Sequence, residues 1–416
     1  MKRPSYPWAF RPRLRARGFS WRGSSLAAQR LKEAVSEIKA VSRQDPLLAA
    51  DGAIILMEKL WPALEQIDSS SGALGSAVGK TVHALLDLLI AAPADADLRE
   101  DWLTRLWAAL QADGVDFLTE VSERWGELCG TPARASQAAD ELHALVQRSW
   151  SEPHGAYVRG TPACLSCLLA AGRHRELLDL IDTAPFLWWH DRRYGVRALT
   201  AMGQTDEAIR YAEASRGSND SPVVIARACE EILLAAGRSD EAYRRYALAA
   251  NPAGTHLATF RALKKKYPQQ DPRRILDDLI GGTPGEEGKW FAAAKSAGFL
   301  DRAAELAGRS PVDIATLIRA ARDHLASDPA IALAAATAAL HWMARGHFYE
   351  LSSGEVWQAT EFALQAAGSV GRLEQTQAFV GTLIDSRDTN TFVSEQLQRR
   401  FHAPRAARSL DSTSGP

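Results

Sequence analysis

The sequence predicts an all-α fold in which antiparallel helix pairs stack into a right-handed α-solenoid. Apolar residues recur every three or four positions along most of the chain, which is the period of a helix with one buried face. No segment shows the alternation of apolar and polar residues that a half-buried strand requires. A short turn pattern with an acidic residue also recurs through the second half at intervals of 27–34 residues, enough for one helix pair.

Length and composition are those of a globular protein. The chain has 416 residues, of which 46% are hydrophobic and 24% are charged, so neither disorder throughout nor a membrane bundle fits. The 49 basic residues nearly balance the 50 acidic ones, which gives no overall attraction to nucleic acid or lipid. Four cysteines in a chain of this length do not form a disulfide framework and favour a reducing compartment.

Neither a secretory signal nor a membrane span is expected. The longest early apolar run is residues 8–10, whereas a secretory signal needs 7–15 apolar residues. The most apolar stretch, residues 330–344, has 15 residues, fewer than the ~20 that cross a bilayer. We expect this stretch to be a buried helix, and we expect a cytoplasmic protein that has no membrane partner.

The beginning of the chain is strongly basic. Residues 1–32 contain nine basic residues and no acid, so the other 384 residues carry a net charge of −10. Aromatic residues are interleaved with the basic ones, and residues 1–23 are predicted to form an arm. Such an arm can bind nucleic acid by neutralising phosphates and stacking on bases, fold back as a cap on the first helix pair, or meet another partner. The candidate nucleic-acid residues are Arg11, Arg13, Arg15, Arg17, Trp21 and Arg22.

The chain divides into four predicted segments. Residues 1–23 are the arm, residues 24–150 an irregular helical region, residues 151–400 a repeat region, and residues 401–416 a disordered tail. Within the helical region, a helix is expected to begin at the two serines at positions 24–25, and clusters of turn-forming residues separate the later helices. These clusters are residues 44–46, 68–72 and 92–95.

Four corners of the helix–turn–helix type recur in the second half. In each corner a glycine supplies the left-handed residue that ends the first helix. In the last three corners an Asp follows three positions later, where the second helix favours an acid, and an Ala follows five positions later. The small Ala side chain lets the two helices approach closely. The corners are residues 171–177, 202–208, 236–242 and 297–303, the first being the loosest match.

Two further corners use proline in place of glycine. In residues 270–272 and 327–329 an Asp is predicted to cap the helix and a Pro to occupy its first turn. The acidic markers of the successive corners are spaced 34, 31, 30 and 27 residues apart. These markers are Asp206, Asp240, Asp271, Asp301 and Asp328. A weaker corner follows at residues 370–374.

These corners carry a family resemblance. Residues 157–398 resemble a degenerate tetratricopeptide-repeat array, and the corner with Gly, Asp, Glu and Ala matches that family best. The aromatic and proline positions of the family are mostly missing, and the period drifts. The whole chain also resembles a group of uncharacterised bacterial helical-repeat proteins, with which it shares residues 11–21 and 211–215. This resemblance implies a bacterial origin and no particular activity.

Residues 75–81 are similar to a phosphate-binding loop but depart from it in two ways. A P-loop has four residues between its glycines, and this segment has three between Gly75 and Gly79. The segment also lacks the buried strand that precedes such a loop. We therefore expect a turn rich in Ser and Gly that leads into a helix starting near Val78.

Cys164 and Cys167 have the spacing of some redox and zinc sites. Zinc requires two more ligands, and the sequence has no second C-x-x-C motif and no paired histidines. Cys164 and Cys229 each lie eight residues before a corner glycine, and Gly195 holds the same position in the corner between them. This position therefore suits small residues and predicts buried structural cysteines, with metal or redox use as the alternative.

The histidines do not indicate catalysis. None of the ten forms an H-E-x-x-H motif, and a nucleophile elbow and a dinucleotide fingerprint are both absent. Residues 187–193 bring aromatic, acidic and cationic side chains together, with Trp188 and Arg192 expected on one helix face. We expect His190 to pack or to lie at the surface. The sequence therefore predicts no catalytic residue, no cofactor and no metal.

Protein recognition is the predicted function. Stacked helix pairs form a concave face suited to a peptide or a helix of a partner, so we expect a non-catalytic scaffold. A nucleic-acid-binding protein that uses the basic arm is the alternative, and an enzyme with an unrecognised site is a third. The candidate partner-binding residues, chosen by position on the first helices, are Tyr194, Arg197, Arg227, Glu230, Glu231 and Lys289.

Overall fold

The computed structural model describes residues 6–68, 70, 72–151, 158–186, 188–217, 221–348 and 350–402. All regular elements in these residues are helices, which confirms the predicted all-α class. The chain forms two compact units, unit 1 (Met1–Ala236) and unit 2 (Gly237–Pro416). Most of the predicted disordered tail lies outside the described residues.

The helices of unit 1 follow the predicted breaks of the N-terminal region. The turn clusters at 44–46 and 92–95 lie where one helix gives way to the next, as expected, and the predicted break at 68–72, of which positions 69 and 71 lie outside the described residues, falls between α2 and α3. The helices are α1 (Ser24–Ser42), α2 (Pro46–Leu64), α3 (Ala73–Ala91), α4 (Ala96–Ala112), α5 (Thr119–Glu123), α6 (Trp125–Leu128), α7 (Pro132–Trp150), α8 (Thr161–Ala170), α9 (His174–Asp182), α10 (Trp189–Ala201), α11 (Thr205–Ala214) and α12 (Pro222–Ala235).

Unit 2 contains short helices followed by longer ones. A π-helical turn, Tyr243–Ala247, and a 3₁₀ turn, Glu287–Trp290, interrupt the α-helices. The helices are α13 (Ser239–Ala242), α14 (Leu248–Ala250), α15 (His256–Lys266), α16 (Pro272–Gly281), α17 (Phe291–Ser296), α18 (Leu300–Arg309), α19 (Ile314–His324), α20 (Pro329–Ala344), α21 (Ser353–Ser369), α22 (Leu373–Asp385) and α23 (Thr391–His402).

Residues 6–23 fold against α1 and α2 as a cap. Trp8, Phe10, Leu14 and Phe19 belong to the core of unit 1 and are at most 6% exposed. The Trp8 ring covers Gly52 so closely that a Cβ at this glycine would lie 2.3 Å from it. This is the arrangement that the cap alternative describes, because Trp8, Phe10 and Phe19 are used for packing while the arginines between them point to solvent.

The contacts divide the chain at a different place from the predicted boundary at residue 150. Helix α8 packs against α5, α6 and α7, and α10 packs against α8. The region predicted as irregular and the first predicted repeats therefore share one core. Burial of α8 on several sides explains this, since its residues from Thr161 to Leu168 are all buried.

The predicted corners are confirmed. The five glycines at the predicted glycine corners have φ values of 72–80°. At the second corner, for example, the N–H of Gln204 donates to the carbonyl of Leu199 at 2.9 Å and that of Gly203 to Thr200 at 3.0 Å, which closes the helix end. At the proline corners Asp271 and Asp328 accept hydrogen bonds from backbone N–H groups, as predicted for helix caps. The corner glycines are Gly172, Gly203, Gly237, Gly298 and Gly371.

Small residues occupy the close contacts between paired helices. Ala208 and Ala303 are fully buried, as the corner pattern predicts. At Gly195 a Cβ would lie 2.8 Å from the ring of Tyr211, so α10 and α11 meet where only glycine fits. The position shared by Cys164, Gly195 and Cys229 therefore faces packed neighbours, as expected.

Two apolar helices bear on the question of a membrane. The predicted buried helix is α20, most of whose residues are buried in unit 2. Among the described residues, α3 is the one helix with the length and composition to cross a membrane. Its apolar residues, Leu74, Val82 and Leu86 among them, are buried in the core of unit 1, which is the arrangement of a core helix. A cytoplasmic location stays a prediction.

The cap makes a testable prediction about stability. Trp8→Ala removes a buried indole and is expected to lower the free energy of unfolding by about 3–5 kcal/mol, which lowers the melting temperature by roughly 10 °C. The neighbouring Arg11→Ala removes an exposed side chain and is expected to stay within about 0.5 kcal/mol of the wild type. Thermal unfolding followed by circular dichroism measures both changes, and equal melting temperatures for the two variants would contradict the cap.

Candidate binding cleft

An open cleft of about 780 Å³ lies on unit 1. Helix α3 forms one side, the segment of residues 115–127 forms the rim, and α10 closes the end. The residues that line it come from sequence positions far apart. They are Gly75, Val78, Gly79, Val115, Asp116, Phe117, Thr119, Glu120, Glu123, Arg124, Glu127, Arg193, Tyr194 and Arg197.

The α3 side of the cleft presents two exposed glycines. Gly75 and Gly79 lie one helical turn apart, and a Cβ built on either would meet no atom within 4 Å. The expected Ser/Gly-rich turn is therefore wrong, because α3 begins at Ala73 and both glycines are already helical. The left-handed residue that permits this early start is Gly72, with φ 69°. The helix exposes its backbone to the cleft at these two positions.

Hydrogen bonds to backbone groups hold the rim between α4 and α5. The buried carboxylate of Asp113 accepts from the N–H of Val115 at 3.2 Å and from that of Leu118 at 2.7 Å. The Arg159 guanidinium donates to the carbonyls of Leu110 at 2.8 Å and of Asp113 at 2.6 Å. Since the last carbonyls of a helix lack partners within it, Arg159 stabilises the end of α4 and fixes where the rim begins.

Helices α6 and α8 cross so closely at Gly126 that a side chain there would clash. The N–H of Gly126 donates to the Ser166 hydroxyl at 3.0 Å, a buried contact. A Cβ on Gly126 would lie 2.3 Å from the carbonyl oxygen of Ser166 and 2.7 Å from the Ala170 Cβ. No other residue fits this crossing without separating the two helices. The position of the α5–α6 rim is thus set by the α8 backbone.

Helix α10 is joined to the rim at Glu123. The Tyr194 hydroxyl donates to the Glu123 carbonyl at 3.1 Å, and Arg193 pairs with the Glu123 carboxylate at 2.7 Å. Burial raises the pKa of Tyr194 to about 12, so its hydroxyl remains a donor at neutral pH. These two contacts close one end of the cleft with side chains that are already engaged.

Most charges in the cleft are neutralised by neighbours. Glu120 accepts from His83 at 2.6 Å, Glu127 pairs with Arg124 at 2.9 Å, and Asp116 lies 3.4 Å from Arg159. Arg197 is exposed and forms no ion pair with the residues that the structure describes. The cleft therefore offers one uncompensated guanidinium beside an exposed helix backbone.

The predicted partner-binding residues differ in burial and in whether they line the cleft. It brings Tyr194 and Arg197 together in the cleft, but Tyr194 is only 1% exposed and Glu230 is fully buried. Their assignment to an exposed binding face is therefore wrong for these two, since position on a first helix does not show which side faces the core. Arg227, Glu231 and Lys289 are exposed outside the cleft, and in unit 2 Lys289 pairs with Glu286 at 2.6 Å.

All six predicted arm residues are exposed. Trp21 is 65% exposed. Arg13 pairs with Glu33 at 3.0 Å and Arg17 with Glu65 at 2.7 Å. The other three, Arg11, Arg15 and Arg22, form no ion pair with any described residue. The outer face of the cap is thus a basic strip with one exposed indole.

The four cysteines are buried, as predicted, and none of them forms a disulfide. Burial raises the pKa of Cys164 to about 12, and a hydrogen bond with the neighbouring Cys129, together with burial, raises the pKa of Cys167. A thiol with a raised pKa is a weak nucleophile at neutral pH. In the described part of the chain, no group of three or more His, Cys, Asp or Glu residues is placed to hold a metal ion.

The aromatic residues at the start of α10 do not form the helix faces that the sequence predicts. Trp188 precedes the first turn of α10 and is half exposed, whereas Trp189 is packed. Arg192 stacks on the Tyr211 ring at 4.1 Å and donates to the Ser215 hydroxyl at 2.7 Å. His190 lies at the surface, as expected. Position 187, which also belonged to the predicted motif, lies outside the described residues.

Comparison of the sequence with protein-family models finds no match, and comparison with curated proteins finds none. The resemblance to tetratricopeptide repeats stays a prediction that the confirmed corners motivate. The conclusions about function therefore depend on the geometry of the cleft and on the exposed charges.

The pair of His83 and Glu120 makes a prediction about pH. The Glu120 carboxylate raises the pKa of His83 above its ordinary value of 6.5. A histidine whose pKa is raised by folding stabilises the fold below that ordinary value, and this stabilisation is lost as the pH rises through the raised pKa. Because His83 is well exposed, the effect on stability is small, and the pKa itself is the better readout.

An NMR titration of the His83 imidazole measures this pKa. Glu120→Gln is expected to bring it back toward the ordinary value, and Glu374→Gln in unit 2 is the control that leaves it unchanged. An unaltered His83 pKa in Glu120→Gln would show that the pair does not form in solution.

Proposed function

We propose that the chain is a non-catalytic interaction scaffold, with helix pairs that stack as in a solenoid within each unit. The cleft of unit 1 is where a helical or extended segment of a partner protein binds. The observation that carries this proposal is the exposed backbone at Gly75 and Gly79, which faces an open cleft next to Arg197. The sequence predicts binding on a concave face, and the proposal assigns it to this one cleft.

The two glycines support the proposed binding site because they lower the stability of the free protein and no packing contact within it requires them. Glycine within a helix costs about 0.5–1 kcal/mol relative to alanine, and neither Gly75 nor Gly79 has a neighbour that excludes a side chain. Small residues one turn apart on a helix allow another backbone to approach closely. A partner segment that lies across α3 uses the space that a larger side chain would fill.

Arg197 supplies the polar part of the recognition. Its guanidinium is free to form a bidentate pair with a carboxylate. Val115 and Phe117 provide apolar surface on the rim. The proposed ligand is therefore a segment with small residues on one side and an acidic side chain, or a chain-terminal carboxylate, within reach of Arg197.

The catalytic alternative has less support in this cleft. Its carboxylates at positions 120, 123 and 127 are engaged with His83, Arg193 and Arg124. Tyr194 is held as a hydrogen-bond donor to a backbone carbonyl. Fixed ion pairs of this kind shape a recognition surface, whereas general acid–base catalysis needs a group that is free to exchange a proton with substrate.

Affinity capture from a lysate of the native cell tests the proposal. We expect the full chain to recover a defined protein, and we expect Gly79→Leu to recover at least tenfold less of it because the new side chain fills the cleft. Gly79→Leu should also raise the stability of the free protein by about 0.5–1 kcal/mol, so lost binding cannot be attributed to misfolding. Arg197→Glu is expected to reduce recovery as well.

Gly381→Leu is the matched control. Gly381 also lies inside a helix, α22, with no atom within 4 Å of a built Cβ. This variant gains the same helix propensity outside the cleft and should recover the partner as the wild type does. Equal recovery by Gly79→Leu and Gly381→Leu would contradict the proposed site.

The exposed strip on the cap supports a second candidate function, the binding of nucleic acid. Arg11, Arg15 and Arg22 are exposed without an ion-pairing acid among the described residues, and Trp21 is exposed beside them. Because Trp8, Phe10 and Phe19 are buried in the core, Trp21 supplies the exposed indole for stacking on a base. We therefore place this function second to protein recognition.

Fluorescence anisotropy with labelled single-stranded DNA tests the second candidate. If the strip binds phosphates, replacing Arg11, Arg15 and Arg22 by Ala should reduce the slope of log affinity against log salt by about 2, at ~0.7 per lost contact. Replacing Arg309, Arg322 and Arg387 of unit 2, which are also exposed, is the charge-matched control. No binding by the wild type at low salt would exclude this candidate.

A further inference from the structure

A second, smaller pocket of about 60 Å³ lies in unit 1 between the end of α7, the start of α8 and the start of α10. Trp150 and Pro162 form part of its wall, and Phe186 and Trp188 contribute two further aromatic side chains. Asp191 contributes the carboxylate. This pocket shares no lining residue with the large cleft.

The carboxylate of Asp191 is buried in the wall of this pocket. Its side chain is 7% exposed, and its buried Oδ1 accepts no hydrogen bond from any described residue. The Nε2 atom of the His190 imidazole lies 3.2 Å from Oδ1, which is an ion pair when His190 is protonated. Burying a carboxylate without donors is costly, and burial raises the pKa of Asp191. A ligand that brings N–H donors and positive charge would remove this cost.

The aromatic side of the pocket is arranged as a ladder. Phe186 and Trp188 stack with ring centroids 5.2 Å apart at an interplanar angle of 13°, and Trp188 stacks on His190 at 5.5 Å. Phe186 and Trp188 are both half exposed. Large aromatic faces left open to solvent next to a buried carboxylate oxygen without a hydrogen-bond donor are the two components of a site for an organic cation.

We propose that this pocket binds a guanidinium group. Guanidinium is planar, stacks on aromatic rings, is weakly hydrated and presents donors that match a carboxylate, whereas an ammonium is compact and strongly hydrated. The pocket volume of about 60 Å³ corresponds to roughly four water-sized positions at ~15 Å³ each. A guanidinium has four non-hydrogen atoms and fits this space. The inference goes beyond the proposed function and does not depend on it.

The source of the guanidinium is either an arginine side chain of a protein or a small molecule. Two probes separate these sources, namely N-acetyl-arginine-methylamide, which mimics a residue within a chain, and agmatine, which is a free guanidinium compound. N-acetyl-lysine-methylamide and the norleucine analogue test the charge and the shape. The readout is the indole N–H resonance of Trp188 in the full-length protein, assigned with Trp188→Phe.

We expect one of the two guanidinium probes to shift the Trp188 resonance in a saturable way. Asp191→Asn should weaken this binding at least tenfold, and so should Phe186→Ala, which removes an exposed ring of the aromatic wall and should leave the fold intact. Asp179→Asn, which removes an exposed charge from α9, should have no effect. Saturation by the arginine derivative assigns the site to a protein side chain, and saturation by agmatine alone assigns it to a small molecule.

Three results would overturn the proposal. These are no saturable shift with either guanidinium probe, equal affinity in the wild type and Asp191→Asn, and equal affinity for the lysine and arginine derivatives. Capture of a partner by the large cleft does not depend on Asp191, so failure here is distinguishable from failure of the proposed function.

Discussion

The close contact of Gly126 with the backbone of Ser166 is the constraint on which the cleft depends. It brings α6 onto α8 at a distance that no side chain permits. The position of α5 follows from that of α6, because a single residue joins the two helices. Glu123, at the end of α5, then meets Tyr194 and Arg193 of α10. A backbone contact without rotatable groups thus fixes the rim, and a preformed rim lowers the entropic cost of binding a partner.

Local features of this fold were predictable from sequence, and features made by distant residues were not. A corner glycine followed by an acid acts within one turn, so the pattern around Gly203 and Asp206 gives the correct helix ends. The burial of Tyr194 depends on Glu123, 71 residues earlier, and no spacing rule reports such a contact. The cleft is not predictable from sequence for the same reason, since Gly75 and Gly79 resemble part of a phosphate loop and only the fold places them beside α10.

The arm shows how composition alone leaves a function open. Alternating arginines and aromatic residues suit nucleic acid and also suit a cap, because the same alternation places aromatic rings inward and guanidinium groups outward. Burial of Trp8 and Phe10 shows that the rings pack in the core of unit 1. What remains for a partner is the basic outer face, a weaker signal for base recognition than the sequence suggested.

The most direct measurement of the central claim is site-specific photo-crosslinking in the native cell, with the crosslinking residue placed at position 79. If the cleft is a docking site, a defined protein is crosslinked there, and excess unlabelled full chain competes for it. The same residue at position 381 should give no such product. The same set of products from both positions, or no product at position 79, would contradict the claim that this cleft receives a partner.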